Sequence, residues 1–85
     1  MKAVVLYEHG GQEQLIYETD YRDPEIGVGD VLVRVKASSL NYHDVFTRRG
    51  MPGIKLNLPL IPGLDVAGEV AEIGPEVEGW SVGDR

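Results

Sequence analysis

Residues 31–38, Val-Leu-Val-Arg-Val-Lys-Ala-Ser, place Val31, Val33, Val35 and Ala37 on one face and Arg34, Lys36 and Ser38 on the other. A period of two is the signature of a strand whose side chains alternate between a buried face and a partly wet one. That alternation constrains the chain more than any other feature, because no helix can bury such a set on one side. The rest of the sequence agrees with it. Eleven glycines and five prolines in 85 residues punctuate the chain too often for a helical bundle and suit short strands joined by turns.

Residues 2–7 read as a strand, "EHGG" at 8–11 as a turn, and Leu15, Tyr17, Thr19 and Tyr21 as the alternate positions of a second strand. Pro24, Gly27 and Gly29 break that pattern before residue 31. A loop with prolines at 52, 59 and 62 precedes another strand over 65–74, where Gly68 implies a bulge or a close backbone approach. "GPEVEGW" is a turn, and "SVGDR" leads towards a further strand. A sheet ending there leaves an open edge, which suggests a piece of a longer domain.

One helix is expected, over 41–49. Asn41 suits the N-cap and Asp44 the positive end of the helix dipole, while Tyr42, Val45, Phe46 and Arg49 share a face. Asp44 and Arg48 are spaced as an i,i+4 charge pair, and Gly50 is placed to end the helix in a left-handed conformation. Phe46 and Trp80 are read as core, and His9 as a surface residue of a turn.

The net charge of −6 argues against nucleic acid, since phosphate binding needs a basic face. Arg48, Arg49 and Lys55 are the only local basic cluster, either a solvated surface or a contact for a phosphate group. With no cysteine, disulfides, thiolate zinc ligands and a cysteine nucleophile are absent together. No apolar run approaches a membrane span or a signal-peptide core, so the default expectation is a cytoplasmic protein without a membrane partner. Gly27 and Gly29 begin a G-x-G-x-x-G pattern, but Leu32 stands at its third glycine. Gly63 and Gly68 have phosphate-loop spacing, but Glu69 occupies the lysine position. No nucleotide-binding device is present in these residues.

Three blocks taken together are specific: "MKAVVLYEHGG", "GVGDVLVRVKASSLNYHDV" and "LPLIPGLDVAGEVAEIGPEVEGWSVGDR". In their order and spacing the chain resembles the N-terminal GroES-like catalytic domain of the medium-chain dehydrogenase/reductase superfamily, which includes zinc alcohol dehydrogenases and quinone oxidoreductases. The resemblance implies a mostly β fold, the N-terminal portion of a GroES-like, partly open barrel with one short helix. Residues 1–85 would then be the N-terminal part of that domain, and the nucleotide-binding domain would lie outside this chain.

The resemblance also bears on metal. Where zinc-dependent members place a cysteine this chain has Asn41, and where they have Pro-Gly-His-Glu it has Pro62-Gly63-Leu64-Asp65. An amide and an aliphatic side chain are poor zinc ligands, so no catalytic zinc is expected. Asp65, Asp44 and His43 could at most hold some other ion weakly. Without a Lewis acid, the favoured substrates delocalise the incoming charge themselves. The zinc-independent quinone oxidoreductases often carry an Asn-aromatic-x-Asp segment like Asn41-Tyr42-His43-Asp44.

The expected function is therefore that of an N-terminal catalytic fragment of an NAD(P)H-dependent oxidoreductase acting on a small-molecule quinone or α,β-unsaturated carbonyl. The full-length enzyme is expected to be a homo-oligomer and the isolated fragment inactive. Asn41 is read as helix cap, nicotinamide neighbour, or both, and Tyr42 as packed on the sheet or touching the cofactor. His43 is read as a proton donor or a polar residue at the cleft mouth. Asp44 and Asp65 are read as structural supports of the site. The alternatives are an alcohol dehydrogenase-like or enoyl-thioester reductase of the same superfamily, and a non-catalytic GroES-like binding module.

Overall fold

The computed structural model describes residues 1–85 and contains four strands and one α-helix. In chain order these are β1 (Ala3–Leu6), β2 (Leu15–Glu18), β3 (Val31–Ala37), α1 (Tyr42–Arg49) and β4 (Ala67–Ile73), with a single 3-10 turn at Gln12–Gln14. No helix is long and apolar enough to cross a membrane. The mostly β character with one short helix is as the sequence implies. The strands form two separate antiparallel pairs, β1–β2 and β3–β4, rather than one continuous ladder.

The chain divides into two compact units, each described by itself. The first comprises residues 1–22 and 40–64. Its hairpin pairs Ala3 with Glu18 and Leu6 with Leu15. Val5 and Leu6 are fully buried, and Leu6 exchanges both backbone hydrogen bonds with Leu60, at 2.8 and 3.0 Å. The proline-rich loop is thus fastened to β1 by a bridge outside the regular strands. The second strand ends at Glu18, earlier than the alternation to Tyr21 implies. Tyr21 instead donates its N–H to the Met1 carbonyl at 2.9 Å.

Across this hairpin the Tyr7 hydroxyl donates to a Glu18 carboxylate oxygen at 2.7 Å. That hydrogen bond is the main reason the Tyr7 phenol is raised above its ordinary value of 10.0. Because the folded value is the higher one, the contribution to stability is complete below pH 10.0 and fades as pH rises through the raised value. Glu18→Gln should move one tyrosine's ionisation, followed by phenolate absorbance, to lower pH. An unshifted titration curve would contradict the contact.

The second unit comprises residues 23–39 and 65–85. Its β3–β4 ladder runs from Val31 opposite Ile73 to Ala37 opposite Ala67, with two irregularities. The register passes over Ala71 in β4 and over Lys36 in β3. Each extra residue interrupts the period of two, as β-bulges do. The expected faces are therefore only partly realised. Val31 and Val33 are half-buried, but Val35 is 60 % exposed. Lys36, expected on the polar face, lines the same concavity as Val31 and Val33. The bulge is the reason: one additional residue between Val35 and Ala37 carries the following side chains off the strict alternation.

Gly68 meets both expectations raised by its position. It lies opposite Val35 beside the second bulge, and a Cβ there would stand 2.1 Å from the Arg34 carbonyl oxygen. Beyond β4, residues 83–84 clasp Val70: its N–H donates to the Asp84 carbonyl and its carbonyl accepts from Gly83, both at 2.8 Å. The terminal segment does run alongside β4, although it forms no regular strand. Val70 is the buried apolar residue of this unit, and Trp80, expected in the core, is 51 % exposed. Eighty-five residues bury a smaller fraction of their surface than a longer chain does, and many large apolar side chains besides Trp80 are left exposed.

Candidate functional site

Four of the five residues singled out by the sequence, Asn41, Tyr42, His43 and Asp44, lie at the start of α1. Asn41 has extended backbone angles and begins the helix with a capping box. Its N–H donates to Asp44 Oδ2 at 3.0 Å. In return the Asp44 N–H points at Asn41, donating to its carbonyl at 3.0 Å with the Asn41 side chain as the other acceptor of the box. Asp44 therefore supports the helix start, satisfying a backbone donor that would otherwise lack a partner.

This commitment has a cost one turn later. Asp44 Oδ1 and Arg48 Nε are both buried and without hydrogen-bond partners. The expected i,i+4 charge pair is not closed, because the carboxylate is turned towards the N-cap rather than along the helix. The expected apolar face is also only partly buried. Tyr42 is 81 % exposed and Phe46 48 %, their ring centroids 6.4 Å apart and the planes tilted by 35°. Tyr42 thus does not pack against a sheet, and Phe46 is not core. The buried side chain of α1 is Thr47, at 7 % exposure the only buried polar residue.

Thr47 explains why. Its carbonyl lies 2.9 Å from His9 Nδ1, and its hydroxyl lies 3.4 Å from His43 Nδ1. His9 is consequently not a free surface residue of a turn. It anchors the last turn of α1, where carbonyls lack intrahelical partners, and the neighbouring Gly10 N–H adds a second anchor by donating to the Arg48 carbonyl at 2.9 Å. Gly50 closes the helix with φ +84° and ψ 149°, a positive φ but not the left-handed helical conformation expected. A Cβ at Gly50 would stand 3.1 Å from the His9 ring, so glycine is favoured there both by φ and by the imidazole.

His9 and Thr47 are the two residues that reasoning from sequence missed. They are 38 positions apart, and no local pattern connects them. The Thr47–His43 spacing of four was visible, but threonine at a helical position carries no distinctive signal.

Asp65 belongs to the other compact unit, where it accepts a hydrogen bond from the Ser39 hydroxyl. Asn41, Tyr42, His43 and Asp44 are brought together at the start of one helix. No group of three His, Cys, Asp or Glu side chains is arranged to hold a metal ion. A concavity of about 830 Å³ lies on the β3–β4 side, lined by Val31, Val33, Lys36, Val66 and Trp80 among others. None of the five residues named for the site lines it. Its exposed walls are mostly apolar, with Lys36, Glu69, Asp84 and Arg85 among the residues that line it.

Comparison with known proteins identifies the family. Residues 27–85 match the model of the alcohol dehydrogenase GroES-like domain. A zinc-type alcohol dehydrogenase-like protein of Schizosaccharomyces pombe is 41 % identical over 85 residues, covering 99 % of this chain and 24 % of the relative. The quinone oxidoreductase of Lama guanicoe is 38 % identical, covering 100 % of this chain and 26 % of the relative. The crystal structure of Escherichia coli quinone oxidoreductase complexed with NADPH superposes with a TM-score of 0.88 at 27 % identity, over 100 % of this chain and 26 % of that one. The chain spans about a quarter of the length of the relatives it matches. It belongs to the alcohol dehydrogenase GroES-like domain family, within the medium-chain dehydrogenase/reductase superfamily.

Proposed function

We propose that these residues are part of the catalytic domain of an oxidoreductase that reduces a quinone or an α,β-unsaturated carbonyl with NAD(P)H and without catalytic zinc. The donor set gathered by α1 carries this reading: a carboxamide at Asn41, an exposed phenol ring at Tyr42, an imidazole at His43 and a carboxylate at Asp44 already engaged in capping. The names of the quinone oxidoreductase relatives, one of them complexed with NADPH, support it.

These residues fit a nicotinamide better than a metal. Tyr42 presents a largely uncovered ring against which a planar heterocycle can lie, with the Asn41 carboxamide one residue away. When bound, held by a domain outside these 85 residues, the nicotinamide supplies a hydride. The chain's own part is to receive the charge that results. In a quinone or conjugated carbonyl the two electrons are delocalised onto oxygen, so hydrogen-bond donors can replace a Lewis acid. His43 is the donor in this arrangement, Asn41 borders the cofactor while capping α1, and Asp65 steadies its surroundings through Ser39. Catalytic zinc does not fit the donor set: Asn41 and Leu64 stand at two of the ligand positions implied by the family resemblance.

The test uses the full-length protein. It should oxidise NAD(P)H in the presence of a quinone, and a strong chelator should leave the rate unchanged. A rate abolished by chelation and restored by zinc would favour an alcohol dehydrogenase-like reading instead.

A further inference from the structure

Thr47 is the only buried polar side chain, and it lies between the two histidines of the chain. Its carbonyl faces His9 Nδ1 at 2.9 Å. A carbonyl oxygen can only accept, so His9 must carry a proton on Nδ1. Its hydroxyl has one hydrogen-bond partner, His43 Nδ1, at 3.4 Å, towards the long end of hydrogen bonding.

The direction of that second bond follows from the hydroxyl's needs. If His43 Nδ1 carried the proton and donated it, the buried Thr47 O–H would have no acceptor. An unsatisfied buried donor is the costlier arrangement, whereas a hydroxyl lone pair left over costs less. Thr47 must therefore donate, which requires an unprotonated Nδ1 on His43 and leaves its proton on Nε2.

We infer that Thr47 is a positioning residue that fixes the two histidines in opposite tautomers, Nδ1–H on His9 and Nε2–H on His43. His43 then meets a substrate oxygen as a neutral hydrogen-bond donor through Nε2. This second half rests on the proposed reduction; the tautomer assignment does not. A neutral imidazole loses its proton reluctantly, so its contribution is to stabilise developing negative charge, and the proton that completes the product comes from water. His9 is the outer member of the chain: by holding the Thr47 carbonyl it keeps the last turn of α1, and so the hydroxyl, in place.

The experiment is nitrogen-15 NMR on full-length protein labelled at histidine, in mildly alkaline buffer, with the resonances assigned through His9→Gln and His43→Gln. The wild type should show the Nδ1–H form for His9 and the Nε2–H form for His43. Thr47→Val, nearly the same shape without the hydroxyl, should return His43 to a mixture of tautomers while His9 is unaffected, and Thr47→Ser should restore the wild-type pattern. An Nδ1–H form at His43 in the wild type, or no response to Thr47→Val, overturns the assignment. In the quinone assay, Thr47→Val should lower kcat about fivefold with KM unchanged, the effect of one lost hydrogen bond. A shifted tautomer with an unaltered kcat would overturn the role given to His43 while leaving the tautomers as assigned.

Discussion

Gly68→Ala is expected to destabilise the β3–β4 ladder by at least about 3 kcal/mol, the upper end of what an inserted methyl group costs in a packed interior. The reason is the identity of the obstructing atom. The added Cβ would stand 2.1 Å from the Arg34 carbonyl oxygen and 3.0 Å from Val33 Cγ1. A side chain can rotate away, but a strand carbonyl engaged in a ladder moves only with the strand. Relief would require separating β4 from β3 next to the bulge at Lys36, where the register is already irregular. Gly29 is the control, since a Cβ there meets nothing within 4 Å and its φ is not positive. Gly29→Ala should change stability by less than about 1 kcal/mol, in the stabilising direction, by restricting the unfolded chain. Urea unfolding of the full-length protein, followed by circular dichroism, distinguishes the two. Equal midpoints for both variants would show that the register across Arg34 and Gly68 is wrong.

His43→Ala is expected to lower kcat about 100-fold with little change in KM, which corresponds to about 2.7 kcal/mol of transition-state stabilisation. This is the size of effect expected when one donor to a developing oxyanion is removed, because that hydrogen bond is much stronger in the transition state than in the bound substrate. The companion variant decides what kind of donor His43 is. The amide nitrogen of glutamine can occupy roughly the position of Nε2 and can donate a hydrogen bond, but it cannot transfer a proton. His43→Gln should therefore recover most of the loss if His43 acts through Nε2–H. It should be as impaired as His43→Ala if proton transfer from the ring is required. An unchanged kcat in both variants would remove His43 from the reaction. Steady-state quinone reduction by the full-length enzyme supplies these values.

The sequence carried a great deal of the local structure. Val31 to Ala37 formed the expected strand because alternating β-branched residues suit a pleated surface, and α1 began at Tyr42 because Asn41 and Asp44 supply the cap. Gly68 was legible too, as a residue without a side chain inside a strand. The errors share one cause. Hydrophobicity alone implies a core position for Phe46 and Trp80, and spacing alone implies an Asp44–Arg48 pair. Burial depends on what other segments cover a side chain, and a charge pair forms only if its carboxylate is not already engaged elsewhere. The first condition is not written in the neighbouring residues; the second is, because Asn41, three positions before Asp44, engages its carboxylate.

The candidate site divides in the same way. Asn41, Tyr42, His43 and Asp44 are consecutive, so their grouping follows from the chain itself, and the turn chemistry, the capping and the family resemblance are likewise properties of the sequence. The tertiary structure alone brought His9 to the Thr47 carbonyl and placed Lys36 on the face of Val31 and Val33. Short-range geometry is set by bonded neighbours and hydrogen bonds a few residues apart. Contacts across 38 positions, and the displacement caused by a bulge, emerge only when whole segments fold back on one another.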